Sequence, residues 1–256
     1  MAFVKGTPGD DNLAGTKQAD VIFGLGGNDV VIGNGGNDWV KTDDGADNIT
    51  TAAGRDLIFS GGGDDLVEAL EGNDFIDAGG GNDEAGGGAG ADMVFGGHGD
   101  DELNAGEGND YVDGGAGADE LSGGSDNDII YDGSGSDRIE GRRGNDKIFL
   151  SADSDVDIIG FRPGEAGVDT IFGFDIPPEK GADQSGGDQI DLQRFKLDED
   201  KILDEEQVLR EGTRFGTQVS VDPTGGDDAD AVKLLLVGIR PEDLGGGSID
   251  PDIFLL

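Results

Sequence analysis

A nine-residue period governs the chain from Gly6 to Ile158. This stretch divides into 17 blocks without insertion or deletion (17 × 9 = 153 residues). The sixth residue of every block is Asp, from Asp11 and Asp20 through to Asp146 and Asp155. The fourth is Gly in 14 blocks, the exceptions being Gln18, Asp126 and Asp153. The eighth is apolar in 16 blocks, with Asp157 as the exception. A fixed period means one structural unit stacked many times, each copy resting on its neighbours.

Each block begins with six small, flexible residues ending in a carboxylate. Its last three, x-U-x with U a bulky apolar residue, are rich in Val, Ile, Leu and Phe, which favour strands. A six-residue turn followed by a three-residue strand reverses the chain every block. Two blocks then make a coil of 18 residues, and successive coils stack as parallel strands about 4.8 Å apart. The expectation is an all-β, two-sheet solenoid over residues 1–158, with U pointing inward and the acids at the turns. One edge of the roll then carries Asp11, Asp29, Asp47, Asp65, Asp83, Asp101, Asp119, Asp137 and Asp155. The other carries Asp20, Asp38, Asp56, Asp74, Asp92, Asp110, Asp128 and Asp146.

Stacked carboxylates at that spacing repel by roughly 1–3 kcal/mol per neighbouring pair. The whole chain compounds the problem, with 57 acidic against 17 basic residues and a formal net charge of −40. A polyanion of this kind is a poor partner for nucleic acid or for an anionic membrane surface. A divalent cation is the natural counter-charge. Oxygen donors from Asp and from flexible turn carbonyls suit Ca²⁺ better than Mg²⁺, because Ca²⁺ accepts more ligands at longer distances. Eight gaps on one edge and seven on the other allow at most about 15 ions. Cys is absent, which excludes disulfides and thiolate metal sites.

Blocks such as Gly24-Leu-Gly-Gly-Asn-Asp-Val-Val-Ile32 and Gly114-Gly-Ala-Gly-Ala-Asp-Glu-Leu-Ser122 read G-G-x-G-x-D-x-U-x. This pattern resembles the calcium-binding nonapeptide repeat of the RTX family. The resemblance implies a right-handed parallel β-roll, with calcium between successive turns held by position-six carboxylates and backbone carbonyls. The ligands it assigns here are Asp11, Asp29, Asp38, Asp47, Asp56, Asp65, Asp74, Asp83, Asp92, Asp101, Asp110, Asp119, Asp128, Asp137 and Asp146. Asp20 and Asp155 are left out, because their blocks depart furthest from the pattern.

The residues flanking U point outward. In even-numbered blocks they include Val21, Phe23, Trp39, Leu57, Phe59, Phe75, Met93, Phe95, Tyr111, Ile129, Tyr131 and Phe149. In odd-numbered blocks the same positions include Asn12, Asn48, Glu68, Glu84, Glu102, Asn104, Glu120, Arg138 and Glu140, and no aromatic. One outer face is thus apolar over the length of the roll, which is more than a protein leaves in water. The adopted reading is burial against a second copy in an isologous dimer. Coverage by the C-terminal segment, or by a glycan, membrane or protein partner, is the alternative.

The period ends at Ile159, and residues 159–256 form a second region. Gly167–Phe174, Gly187–Leu192, Thr217–Val221 and Ala231–Val237 read as strands. Asp204–Gly212 reads as a short helix, with Asp204 as N-cap, Gln207 completing a capping box and Gly212 as stop. The acidic loop 222–230 is either a turn or a further calcium site. Asp169–Phe174, Gly187–Leu192 and Asp252–Leu256 resemble pieces of the C-terminal cap of secreted RTX proteins. The resemblance implies a mixed β/α cap that carries a type I secretion signal. Residues Met1–Gly6 show no conventional signal peptide, so export by the type I machinery to the extracellular space is expected.

No H-E-x-x-H or G-x-S-x-G motif is present, and His98, the single His, occupies a variable turn position. The acids are committed to the repeat. RTX enzymes carry a catalytic domain ahead of the roll, whereas five residues precede the first block here, so no enzymatic activity is expected. The expected function is that of a secreted protein that folds on binding several Ca²⁺. An extracellular adhesin or matrix (polysaccharide-binding) protein and a membrane-active RTX protein are the alternatives.

Overall fold

The structure, a computed structural model, describes residues 1–153, 155–162, 167–173, 188–191, 207–211, 214–221, 232–237 and 254–255. The even-block strands build a 13-stranded sheet and the odd-block strands an 11-stranded sheet. Each strand pairs in parallel with the strand one coil away, as Phe75, Ile76 and Asp77 do with Met93, Val94 and Phe95. No helix occurs among the described residues.

The division of the block differs from the expected six-plus-three. The strand Phe75–Gly80 starts at position seven and continues through position three of the next block, and Met93–His98 and Glu102–Glu107 do the same. The turn is only the remaining three residues, such as Gly81-Asn82-Asp83. The reason lies in pairing: the G-G-x residues lie against the same residues of the next coil, for example Gly79 opposite Gly97. Ladder bonds therefore continue past the apolar triplet. Glycine predominates at position four because coils approach closely there. A Cβ on Gly90, whose φ is +145°, would collide with the carbonyl of Gly72.

The core is a single row of U side chains from each sheet. Ile22, Val40, Ile58, Ile76, Val94, Val112, Ile130 and Ile148 face Val31, Ile49, Val67, Leu103, Leu121 and Ile139, all nearly inaccessible to solvent. Position one also points inward. It contributes Ala69, Ala78 and Ala105, and the buried hydroxyls of Thr42, Thr51 and Ser60. Those hydroxyls donate to the carbonyls of Ser60, Ala69 and Ala78, each 18 residues on.

Past the repeats the sheets continue. Ile158–Gly160, Gln189–Asp191 and Phe254–Leu255 extend the second sheet. Val168–Phe172 and then Val232–Val237 extend the first. Arg214–Val221 and Gln207–Glu211 close that sheet in antiparallel pairing. The expected helix over Asp204–Gly212 is therefore corrected: Gln207–Glu211 is a strand. A capping box is a local preference, and pairing along Arg214–Gln218 overrides it. Residues 177–186 and 222–230 lie outside the described residues.

The residues of the apolar face line the outside of the 13-stranded sheet. Trp39, Leu57, Met93 and Tyr131 are exposed, and Val21, Phe23, Phe59, Phe75, Phe95, Tyr111, Ile129 and Phe149 are half-buried. Neighbouring rings cover one another. A run of contacts passes through Phe59, Phe75, Phe95, Tyr111, Tyr131, Phe149 and Phe172, with centroids 4.5–5.6 Å apart. Phe3, Phe23 and Trp39 form a shorter run at the other end. The described C-terminal strands prolong the sheet in its own plane.

Candidate metal centre

Each turn presents its Asp to the coil before it. The backbone N–H of Asp74 donates to Oδ1 of Asp92 at 2.7 Å, and that of Asp101 donates to Oδ1 of Asp119 at 2.9 Å. The same bond recurs along both edges, beginning with Asp11 to Asp29 and Asp20 to Asp38. A second ladder runs the opposite way at position five. The N–H of Asn82 donates to Oδ1 of Asp64, and that of Asp100 to Oδ1 of Asn82. This second ladder is legible in the sequence as the frequent Asn or Asp at position five, beside the invariant Asp at position six.

From Asp20 to Asp146 the position-six carboxylates are 0–3% exposed. One oxygen of each is satisfied by the ladder. The other, Oδ2, has no hydrogen-bond partner in Asp29, Asp38, Asp47, Asp56, Asp65, Asp74, Asp83, Asp92, Asp101, Asp110, Asp119, Asp128, Asp137 and Asp146. A buried carboxylate oxygen without a donor is costly. A single one suggests strain, whereas fourteen in register describe two columns of unsatisfied anionic oxygens. Where position one is Gly, the Oδ2 faces its Cα, and at Gly87, Gly96 and Gly114 the position-one carbonyl of the next coil lies beside it. At Gly87 a hypothetical Cβ would lie 2.7 Å from both Asp92 Oδ2 and the Ala105 carbonyl. Glycine there leaves a cradle lined by carboxylate and carbonyl oxygens, the donor set of a hard divalent cation.

Burial, reinforced by neighbouring carboxylates, pushes eight of these groups well above the ordinary Asp range. Asp65, Asp74, Asp101 and Asp137 rise to about 7, Asp38, Asp110 and Asp119 to about 6, and Asp128 to about 8. Burial also raises Asp29, Asp83, Asp92 and Asp146. The backbone donor to Oδ1 opposes this rise without cancelling it. These residues fit a bound cation, since ionised carboxylates in this setting need a positive charge that the fold itself does not supply. Ca²⁺ held there would be ligated by position-six Oδ2 atoms and turn carbonyls.

The N-terminal ends are built differently. Asp11 Oδ2 accepts from the Thr7 amide at 2.5 Å and the Thr7 hydroxyl at 2.9 Å. Asp20 Oδ2 accepts likewise from the Thr16 amide at 2.6 Å and hydroxyl at 2.8 Å. Burial alone would raise Asp20. Hydrogen bonds from the Ala2 amide and from the Thr16 hydroxyl and amide outweigh it and hold the carboxyl below its ordinary value. Threonine at position two thus satisfies the oxygen that elsewhere stands open. Asp11, an expected ligand, differs from the other fourteen in this respect.

The C-terminal end departs from the nine-residue register. Asp155 was expected to close the first edge, but it is exposed, and its N–H donates to Oδ1 of Asp153. Asp157 takes its place, accepting from the Asp137 amide at 3.0 Å. The ladder continues to Asp169 beyond Asp146 and to Asp188 beyond Asp157. Each of the three heads a D-x-I triplet, Asp157-Ile-Ile159, Asp169-Thr-Ile171 and Asp188-Gln-Ile190. That triplet was the available signal. The apolar exception at position eight of the last block was in fact the next position-six Asp, two residues late.

The family model of the RTX calcium-binding nonapeptide repeat matches residues 5–40, 32–67, 41–76, 59–94, 86–121 and 122–157, more than half of the chain. Among solved structures, the chain is similar to the AlgE6R3 subunit from the Azotobacter vinelandii mannuronan C5-epimerase. That likeness is at 24% identity over 65% of this chain and 80% of that one, with a TM-score of 0.23. No curated protein matches. With its repeats matched from residue 5 to residue 157 and their acids stacked along two edges, the chain belongs to the RTX calcium-binding nonapeptide-repeat family.

Proposed function

We propose that this RTX protein is a non-catalytic extracellular module whose folding is driven by calcium, and that it self-associates through its apolar sheet face. The observation that carries the reading is the double column of fourteen buried, unpartnered Oδ2 atoms. Without a cation the roll holds unsatisfied carboxylates in its turns. With Ca²⁺ the same oxygens become ligands, at most about 15 ions in all. Binding free energy that exists only in the folded state is folding free energy. A chain of this kind stays unfolded where calcium is scarce and folds where it is plentiful, and extracellular modules bind at about 10⁻⁴–10⁻³ M. Export by the type I machinery in an unfolded state fits that switch, and the cap strands over Val168–Phe172 and Gln189–Asp191 fit its C-terminal signal region.

Circular dichroism of the full chain in calcium and in chelator at neutral pH tests the coupling. Strand signal is expected only with calcium, and its persistence in chelator would sink the proposal. The adhesin reading rests on the exposed rings of Trp39 and Tyr131 on the apolar face. Retention of the calcium-loaded protein on a polysaccharide matrix, abolished by Trp39→Ala, would favour it over self-association.

A further inference from the structure

We propose that the C-terminal end of the first acidic edge holds a cation site of a kind that the repeats do not form, built from the side chains of Asp132, Asp137 and Asp157. It rests on the calcium reading of the repeats and goes beyond it in composition, strength and place. The ligating oxygens of the three carboxylates lie within 4.8 Å of one another, the one such group of three among the described residues. All three side chains are buried, none more than 2% exposed. Asp137 Oδ2 is buried and has no hydrogen-bond partner.

Asp132 is what sets the place apart. It occupies position one of its block, which points into the roll. In the other blocks that position is Gly, Ala, Ser or Thr, and Leu150 in the last. Where position one is Gly, its Cα faces the Oδ2 of the Asp five residues on, as Gly141 faces Asp146. A carboxylate at 132 therefore stands beside Asp137, five residues on, from inside the roll. It is held in place: Oδ1 accepts from the Gly133 amide at 2.6 Å, and both oxygens lie 2.9 Å from the Ser151 amide. Asp157 is fixed from the other side, its Oδ1 accepting from Asp137. The slip of the register that replaces Asp155 by Asp157 completes the group.

The charges acting on Asp137 are those of Asp119, Asp157 and Asp132, all of them acidic. Three carboxylates around one point, with oxygen donors only, select a hard divalent cation, and affinity rises with ligand charge count. A repeat site offers ladder carboxylates and carbonyls, whereas this one adds a third carboxylate. It is the tightest site on the chain, and the first ion to bind ties the last block, through Asp157, to the coil before it.

The test is a calcium titration of the full chain read by native mass spectrometry, for the wild type, Asp132→Gly and Asp132→Asn. Asp132→Gly restores the residue type of the other blocks, and Asp132→Asn keeps the shape while removing the charge. In the wild type one ion is expected to bind at free calcium about tenfold lower than the rest. Both variants are expected to lose that early step and to bind the later ions as before. A wild type with a single class of sites, or variants that titrate like the wild type, would overturn this site while leaving the repeat reading intact. A variant that folds more readily in chelator yet binds every ion would also overturn it, by showing that Asp132 is only a buried acid beside Asp157. Absence of calcium binding by the wild type and both variants alike would remove both readings.

Discussion

At the scale of the residue, the protein is a set of carboxylates whose second oxygen waits for a partner. The consequence for pH follows from the sign of the shifts. Burial raises eight of the ladder acids, among them Asp38, Asp65 and Asp128, from an ordinary 3.8 to between about 6 and about 8 in the folded state. Folding without metal is therefore favoured while these groups are protonated, and that contribution is lost as pH rises through the folded values. In chelator, the roll is expected to be most stable at about pH 4 or below and to lose stability progressively as pH rises from about 4 to about 8, whereas calcium keeps it folded at neutral pH. A pH series of circular dichroism spectra in chelator checks this, and a roll equally unfolded at every pH would contradict it. The threonine ends make a different prediction. Thr16→Ala removes one donor from Asp20 Oδ2 and should cost about 1 kcal/mol in calcium-saturated denaturant melts. Thr16→Ser should restore the loss, with the number of bound ions unchanged in both. Position-six Asp was legible because it never varies along the chain. The role of Thr7 and Thr16 was not, because a hydroxyl at position two matters only once Oδ2 is seen to face it.

At the scale of the element, the unit is a six-residue strand and a three-residue turn, paired to its equals one coil away. Stability in such a stack is a sum of nearest-neighbour terms. Ile76 is completely buried between its neighbours Ile58 and Val94 in the same row. Ile76→Ala should cost about 2–5 kcal/mol. Loss of amide protection should concentrate in the coils around residues 58–94, as hydrogen exchange in calcium would report, and uniform loss along the roll would contradict nearest-neighbour stacking. The x-U-x triplet announced strands from composition alone. Their true length was hidden in Gly-Gly-x, whose low strand propensity is overridden by ladder bonds between coils. Gln207–Glu211 shows the same override: a good helix start became a strand because Arg214–Val221 offers it a partner.

At the scale of the whole molecule, the two sheets present unlike outer faces. The 11-stranded sheet carries Glu84, Glu102 and Glu120 in neighbouring positions, then a buried Glu140 ringed by Arg138, Arg142 and Arg162. The 13-stranded sheet carries the aromatic row. Ring-to-ring contact makes that row half-buried by itself, each contact contributing about 0.5–1.5 kcal/mol beyond area. Self-association through this face predicts a dimer in calcium by light scattering. The double variant Phe95→Ser, Tyr111→Ser should shift it to the monomer mass with the calcium midpoint of folding unchanged. A wild-type monomer would sink the dimer, and a variant that fails to bind calcium would show the row to be structural.

The period alone settled the solenoid, the pairing of alternate blocks, the two acidic edges, the inward row and the apolar outer face. These follow from residues repeated within nine positions, so each block carries its own instructions. Tertiary structure decided what happens where the repetition breaks: the hydroxyls that satisfy Asp11 and Asp20, the slip from Asp155 to Asp157, the entry of Asp132 into the roll, and the strand at Gln207–Glu211. Each depends on which groups stand side by side across coils or paired strands. That neighbour is set by hydrogen-bond registry between whole turns, and no local count of residues contains it.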